Sequence, residues 1–312
     1  MVTEDAQDPE DEQVARFNES FYRSDPADYL RTRFQLLMLT GGKRSQLEEL
    51  LAEGVEFAGV TIGPTGPEVD HAGDADDDSA LGPFLTIESQ QLLHHAAETV
   101  LRLFLVHASR ATVPWVELSS QRSFSKFKRE VESEFIDEAP AAELIGYVCF
   151  GNRIRPPDVD PADWDGAVSG IRAFLRSFAE CFLDDANLYN SIKHGLGVTA
   201  GEAVALIDAH QVGHGPSIEY PESAAWAGDG TRTWSLTTRW VDVGQSIGLT
   251  FVAIRMIETI WSIGRFRHIG GPSAAEIFFP SAVRPDDLRG PDRPPMRRMS
   301  WHLLRESKHP AS

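Results

Sequence analysis

Residues 164–195 read WDGAVSGIRAFLRSFAECFLDDANLYNSIKHG and contain the most regular apolar pattern of the chain. Large apolar side chains recur here at steps of three, four and one: Trp164, Val168, Ile171, Phe174, Leu175, Phe178 and Phe182. This spacing places them on one broad side of an α-helix. We therefore predict a long core helix that leads almost directly into a polar segment at residues 186–195.

The polar segment carries amides and a histidine at helical spacing. Asn187, Asn190 and His194 are three and four residues apart, so a helix presents them on one face. Asparagine is a poor helix former, and two of them in neighbouring turns indicate a polar site. The structural alternative is an ordinary helix end, in which Gly195 caps the helix and the cation of Lys193 favours its dipole. The pattern leaves both interpretations open.

The motif NLYNSIKHG, residues 187–195, resembles the catalytic-helix motif of HEPN domains, small helical bundles that often act as metal-independent ribonucleases. His194 matches the histidine of that motif and Asn190 its polar residue, whereas Tyr189 stands where the family usually has an arginine. The resemblance implies that His194 assists proton transfer at a ribose 2′-hydroxyl, while the cation of Lys193 steadies the phosphate. It also implies RNA as a partner, no cofactor or metal, and a homodimer that brings two sites together.

A second function stays open because of the tyrosine at the arginine position. In this alternative the chain is a noncatalytic module that binds a protein partner through a degenerate HEPN-like site. The acidic composition is compatible with it, since the 312 residues carry a formal net charge of −18. Such a charge argues against a surface that coats nucleic acid generally, although a local basic cleft remains compatible with it.

Composition also bears on the compartment. The chain has only two cysteines, too few for a disulfide scaffold, and its first residues are acidic rather than basic and apolar as in a secretory signal. We therefore predict a cytoplasmic protein. The most apolar helical stretch, residues 247–263, contains Arg255 and Glu258, so we predict a core helix and no membrane association.

The remaining pattern predicts a mainly α fold, a helical bundle with a small antiparallel β-sheet inserted after the motif helix. Alternating residues between Gly and Pro turns indicate this β insertion at about 200–243. A disordered acidic arm is predicted at 1–12, a helical domain at 13–279 with a linker at 63–83, and a Pro/Arg-rich tail at 280–312. For the tail we expect irregular backbone with a short helix at residues 301–305.

A further helix is predicted at residues 86–109, with Thr86 as its N-cap. On it His95 and Glu98 are three residues apart, a spacing that suits a hydrogen-bonded pair. In a HEPN-like bundle this helix lies against the motif helix. By that analogy we expect His95 and Glu98, together with Tyr189, to contact and orient the catalytic residues.

Two rival motifs have weaker support. Gly244-Gln-Ser246-Ile-Gly248 matches the G-x-S-x-G elbow of serine hydrolases, with Ser246 as nucleophile, but the preceding chain is mostly helical. Asp242 followed by Gln245 instead suits a helix cap. Side chains that can bind a metal occur in the acidic run at residues 74–78 and at Asp208, His210 and His214. Solvated side chains are the better interpretation of both groups, so no metal is predicted.

Overall fold

The computed structural model describes residues 9–43, 46, 49, 53, 55–57, 60–62, 81–119, 124–184, 186–193, 197–207, 210–224, 226–227, 229–270, 277–280, 282–289 and 296–307. The helices in this part of the chain are α1 (Pro9–Phe21), α2 (Pro26–Gly42), α3 (Leu81–Ala108), α4 (Pro114–Ser119), α5 (Phe124–Glu132), α6 (Ala142–Phe150), α7 (Pro161–Asp184), α8 (Ala186–Lys193) and α9 (Val243–Ile269). A π-helical turn at Ser133–Asp137 follows α5, and a 3-10 turn at Pro285–Leu288 follows α9. The strands are β1 (Val55–Phe57), β2 (Val60–Ile62), β3 (Thr199–Ile207), β4 (His210–Ser223), β5 (Thr231–Trp240) and β6 (Arg298–Ser307).

This architecture confirms the predicted fold class, mainly α with a small antiparallel sheet after the motif helix. The sequence predicts one helical domain, whereas the chain separates into two compact units. One, the helical unit, contains Met1–Arg31, Leu93–Ala186 and Ile247–Arg289. The other, the sheet unit, contains Thr32–Leu92, Asn187–Ser246 and Gly290–Ser312.

Helix α7 carries much of the core of the helical unit, as its apolar spacing predicts. Phe174, Phe178 and Phe182 are fully buried. The ring of Phe182 lies edge-on to that of Phe127, with 5.0 Å between their centroids. Edge-to-face contacts of this kind add stability beyond the area that the rings bury, so the aromatic residues of α7 fix the neighbouring helices as well as exclude water.

The sheet unit is built on a four-stranded antiparallel sheet in the order β3-β4-β5-β6. Strands β3 to β5 confirm the predicted β insertion. Strand β6 differs from the prediction, because residues 301–305 form extended chain rather than a short helix, with Trp301 paired to Leu236 of β5. Without β6, the outer edge of β5 would have unpaired backbone N–H and C=O groups, and β6 satisfies them from a remote part of the chain. The local sequence pattern does not indicate such a remote partner.

Helix α3 begins five residues earlier than its sequence predicts. Its first residue is Leu81, and Thr86 lies inside the helix, where its hydroxyl donates to the carbonyl of Gly82 over 2.8 Å. A threonine that bonds back in this way satisfies its own hydroxyl without capping the helix. Residues 81–83 of the predicted linker therefore belong to α3, and the rest of that linker lies outside the described residues. So do residues 1–8 of the predicted acidic arm, whereas Pro9 opens α1.

Helix α9 is, among the described residues, the helix that is long and apolar enough to cross a membrane. Within its apolar stretch, however, 67% is buried inside the protein, as in a core helix. Its N-terminus has the predicted cap, because the side chain of Asp242 accepts a hydrogen bond of 2.8 Å from the backbone N–H of Gln245. This bond satisfies one of the donors that every helix start leaves open.

Candidate functional site

Helix α8 holds the described part of the polar motif and is amphipathic. Leu188 and Ile192 are buried in a cluster with residues of the sheet and the segment after it, Ile218, Tyr220 and Val241. This anchoring turns the polar side of the helix outward, where Asn187, Asn190 and Lys193 are exposed. Leu188 and Ile192 are four residues apart and Asn187 and Asn190 are three apart, so the helical period of 3.6 residues puts each pair on one side of the helix. His194 and Gly195 lie outside the described residues.

Asn187 is linked to the sheet through a largely shielded carboxylate, that of Glu222. Its side-chain amide donates to an oxygen of Glu222 on β4 over 3.1 Å. The other oxygen of Glu222 accepts from the Thr237 hydroxyl on β5 over 2.6 Å and pairs with Arg298 on β6. Ser300 of β6 shares a 2.9 Å hydrogen bond with Thr237. We name these five residues, Asn187, Glu222, Thr237, Arg298 and Ser300, the Glu222 network.

The charge of Glu222 is the electrostatic centre of this network. Its side chain is only 12% exposed. Burial tends to raise the pKa of Glu222, but hydrogen bonds from Thr237 and Asn187 and the positive charge of Arg298 outweigh it and lower the pKa. The carboxylate is therefore ionised at neutral pH, with its oxygens satisfied by three side chains from different elements.

Arg298 is the residue that the sequence did not indicate as part of the site. It lies 76 residues after Glu222, and its side chain is 42% exposed although its charge is paired. The sequence signal for Glu222 is the alternation of side chains along β4. Glu222 lies two residues after Tyr220, which is buried, so both side chains lie on the same face of the strand. The strand that supplies the arginine was not foreseen, and neither was the network.

The polar groups at this end of the sheet unit suit the binding of an anion. Asn187 and Asn190 offer amide donors, Lys193 offers an exposed ammonium, and Arg298 offers a guanidinium on a side chain that is 42% exposed. Arginine forks and ammonium groups are the side chains that recognise phosphate. The side chains of α8 and of the Glu222 network are therefore of the kind that binds phosphate.

The residues predicted to orient the motif have other partners in the structure. Tyr189 is half-buried on α8. His95 and Glu98 belong to the helical unit, where Glu98 pairs with Arg102 over 2.7 Å and the ring of His95 lies 5.9 Å from that of Tyr29. Their contact with the catalytic residues stays a prediction.

Ser246, the nucleophile of the rival hydrolase motif, is in a structural environment. It is 3% exposed, and its hydroxyl donates to the backbone carbonyl of Asp242 over 2.8 Å and accepts a bond from the side chain of Gln90. A hydroxyl that is buried and already bonded in both directions cannot approach a substrate carbonyl. The first turn of α9 explains this serine without chemistry.

Metal binding finds no support in the described part of the chain, which contains no group of three or more His, Cys, Asp or Glu residues placed to hold an ion. His210 and His214 are exposed on β4. Asp208 and the acidic run at 74–78 lie outside the described residues.

Comparisons with known proteins give no family for this chain: no model of a protein family matches it, and neither a curated protein nor a solved structure does.

Proposed function

We propose that the exposed side of α8 and the Glu222 network form an RNA-binding site, and that the protein is a metal-independent endoribonuclease centred on His194. The observation that carries the proposal is the convergence of Asn187 and Arg298 on one carboxylate, that of Glu222, whose side chain is 12% exposed. The resemblance of residues 187–195 to the HEPN motif supports it independently.

The proposed chemistry needs two kinds of group. A general base has to take the proton of a ribose 2′-hydroxyl, and we assign this to His194, because histidine ordinarily titrates near neutrality. The 2′-oxygen then bonds to phosphorus as the bond from phosphorus to the 5′-oxygen breaks, and protonated His194 gives the proton to that leaving oxygen. A cation has to stabilise the charge that develops on the phosphate. Tyr189 cannot supply it from the motif position, so we assign this role to Arg298 together with Lys193. Glu222 then holds the arginine in a fixed orientation.

Cleavage is tested first. Purified wild-type protein, His194→Ala and His210→Ala are incubated with mixed-sequence RNA in EDTA. His210 is an exposed histidine of the same unit and serves as the matched control. We expect cleavage by the wild type and by His210→Ala and intact RNA with His194→Ala. Intact RNA in all three samples, or equal cleavage by His194→Ala, contradicts the nuclease proposal.

Binding is tested separately, through the salt dependence of RNA affinity. Arg298→Gln is compared with Arg305→Gln, which removes an exposed arginine of the same strand that pairs with Asp229 over 2.9 Å. Affinity falls as salt rises, and each lost phosphate contact makes the plot of log affinity against log salt less steep by about 0.7 to 1. We expect that loss for Arg298→Gln and a smaller one for Arg305→Gln. Equal slopes for both variants would remove Arg298 from the site.

The alternative function is a noncatalytic module that binds a protein partner. The exposed aliphatic side chains of α2 favour it, because Leu36, Met38 and Leu39 are 58%, 46% and 56% exposed. Several large apolar residues exposed close together on one helix are typical of an interaction surface. An RNA that is neither bound nor cleaved in the two experiments above selects this alternative.

A further inference from the structure

The helical unit contains a cavity of about 470 Å³ between α1, α3, α4 and α9. Its walls include the rings of Phe21, Trp115 and Trp261, and its polar lining includes Ser20, Thr99 and Arg102. We call this cavity the aromatic pocket. Its volume lies within the range of about 300 to 1,000 Å³ that small-molecule sites occupy, and apolar walls with a few polar groups are their usual composition.

The aromatic rings that line the pocket contact one another. The centroids of Phe21 and Trp261 are 4.6 Å apart, and those of Phe21 and Trp115 are 6.2 Å apart with an interplanar angle of 25°. Trp261 is 5% exposed and forms a fixed wall, whereas Trp115 is 43% exposed and forms the rim. The Trp261 ring is tilted by 59° to that of Phe21, so the three rings form a continuous aromatic wall whose faces and edges can contact a ligand ring.

Arg102 is the charged group of the pocket and is fixed in place. Its Nε donates to Glu98 over 2.7 Å, and its guanidinium carbon lies 3.9 Å from the centroid of the Phe127 ring. Guanidinium groups only donate hydrogen bonds, so a ligand can bond to Arg102 only through an acceptor. The hydroxyl of Thr99 gives its proton to the carbonyl of His95 over 2.9 Å. Within the pocket, Arg102 is therefore the group that sets the polarity of the ligand.

We propose that the aromatic pocket binds a planar aromatic molecule that carries a carboxylate or another hydrogen-bond acceptor. The ring stacks among Phe21, Trp115 and Trp261, and the acceptor faces Arg102. Glu98 pairs with Arg102 and so balances part of the positive charge near the pocket. The Glu98 side chain is not among the residues that line the pocket. A ligand with a hydrogen-bond acceptor is thus favoured over a cationic ligand. A cation in the pocket would be repelled by the guanidinium of Arg102, and among the described residues no carboxylate lines the pocket to balance its charge.

Three probes of one ring system separate shape from polarity: 2-naphthoate, 2-naphthylmethanol and 2-naphthylmethylammonium. Binding to the full-length protein is measured by isothermal titration calorimetry. We expect naphthoate to bind tightest, the neutral alcohol next and the ammonium weakest. No heat from any of the three overturns the proposal of an aromatic ligand, and an ammonium that binds as well as naphthoate overturns the role of Arg102.

Variants locate the bound probe. Trp115→Ala removes the rim ring and is expected to weaken naphthoate binding by up to about tenfold, since an aromatic contact contributes about 0.5 to 1.5 kcal/mol. Phe266→Ala, which removes a ring of α9 that is 53% exposed, is the matched control and should leave binding unchanged. Ser20→Trp fills the pocket from its exposed edge and should abolish binding. Helical circular dichroism confirms that each variant is folded, and equal affinities of Trp115→Ala, Ser20→Trp and wild type overturn the site.

Discussion

His107 should make the helical unit sensitive to acid. The side chain is 4% exposed, and its ring lies 6.3 Å from those of Tyr22 and His268. Burial, with smaller contributions from the positive charges of His268 and Arg267, lowers its pKa from 6.5 to about 3. The imidazole is therefore neutral in the folded protein at any pH near neutrality.

The sign of the effect follows from where the proton binds. In the unfolded chain His107 takes up a proton near its ordinary pKa of 6.5, whereas in the folded protein it stays neutral down to about pH 3. Protons thus favour the unfolded chain throughout this interval. The stability contributed by neutral His107 is complete above the unfolded pKa and is lost as the pH falls. At about pH 5 the loss amounts to about 2 kcal/mol, from about 1.4 kcal/mol for each pH unit below 6.5.

The assay compares wild type with His107→Gln, which has a neutral side chain of similar size at every pH. Urea unfolding is followed by far-ultraviolet circular dichroism at about pH 8 and about pH 5. Other titrating groups contribute to both proteins, so we examine the difference in free energy of unfolding, wild type minus variant. We expect this difference to fall by about 2 kcal/mol between the two pH values.

A matched control guards against general effects of removing a histidine. His210→Gln changes an exposed histidine of β4 and shows what removal of a histidine does where no burial is involved. The reasoning is refuted if the His107→Gln difference is constant within about 0.5 kcal/mol, because burial would then not hold the ring neutral.

The remaining predictions concern packing and the Glu222 network. Gly264→Ala should destabilise by about 1 to 3 kcal/mol, because the added Cβ would lie 2.4 Å from Cε1 of His107 and 2.7 Å from the Tyr22 hydroxyl; thermal unfolding measures this. Phe182→Ala should cost about 3 to 5 kcal/mol, since the fully buried ring leaves a cavity, and urea unfolding that shows less than about 1 kcal/mol would contradict it. Glu222→Gln should cost about 1 to 3 kcal/mol and should weaken the pH dependence of stability in acid, because the carboxylate with its lowered pKa stabilises only above that pKa; an unchanged acid limb of the stability curve would count against the network.

The sequence predicts the parts of this fold that depend on local periodicity. The stripe of α7 and the alternation of β3 to β5 each repeat over enough residues to identify the element and its buried face. The same reasoning failed at β6, whose partner strand is remote, and at the start of α3, where Thr86 has the chemistry of a cap but lies within the helix. Local sequence pattern therefore predicts whether a segment is a helix or a strand more readily than it predicts where that segment ends or which strand it pairs with.

The two candidate sites show this limit more sharply. Asn187 and Asn190 could be assigned to one face of α8 from their spacing of three residues alone. Arg298 could not, since it reaches Glu222 only through the pairing of β5 with β6. The aromatic pocket was not predicted at all, because its three rings come from helices far apart in sequence and each ring alone resembles an ordinary core residue.

Strand β6 joins β5 only after the chain has passed through the 27 residues of α9. Closing so long a loop costs entropy that neighbouring strands such as β3 and β4 do not incur, so β6 is the strand whose attachment is entropically most expensive. Detachment of β6 would leave α8 seated on the remaining sheet by Leu188 and Ile192 but would withdraw Arg298 from Glu222. The same surface would then lose one positive charge, so that Glu222 and Lys193 alone balance each other and the attraction for phosphate falls. Attachment of a single strand therefore sets the net charge of the site.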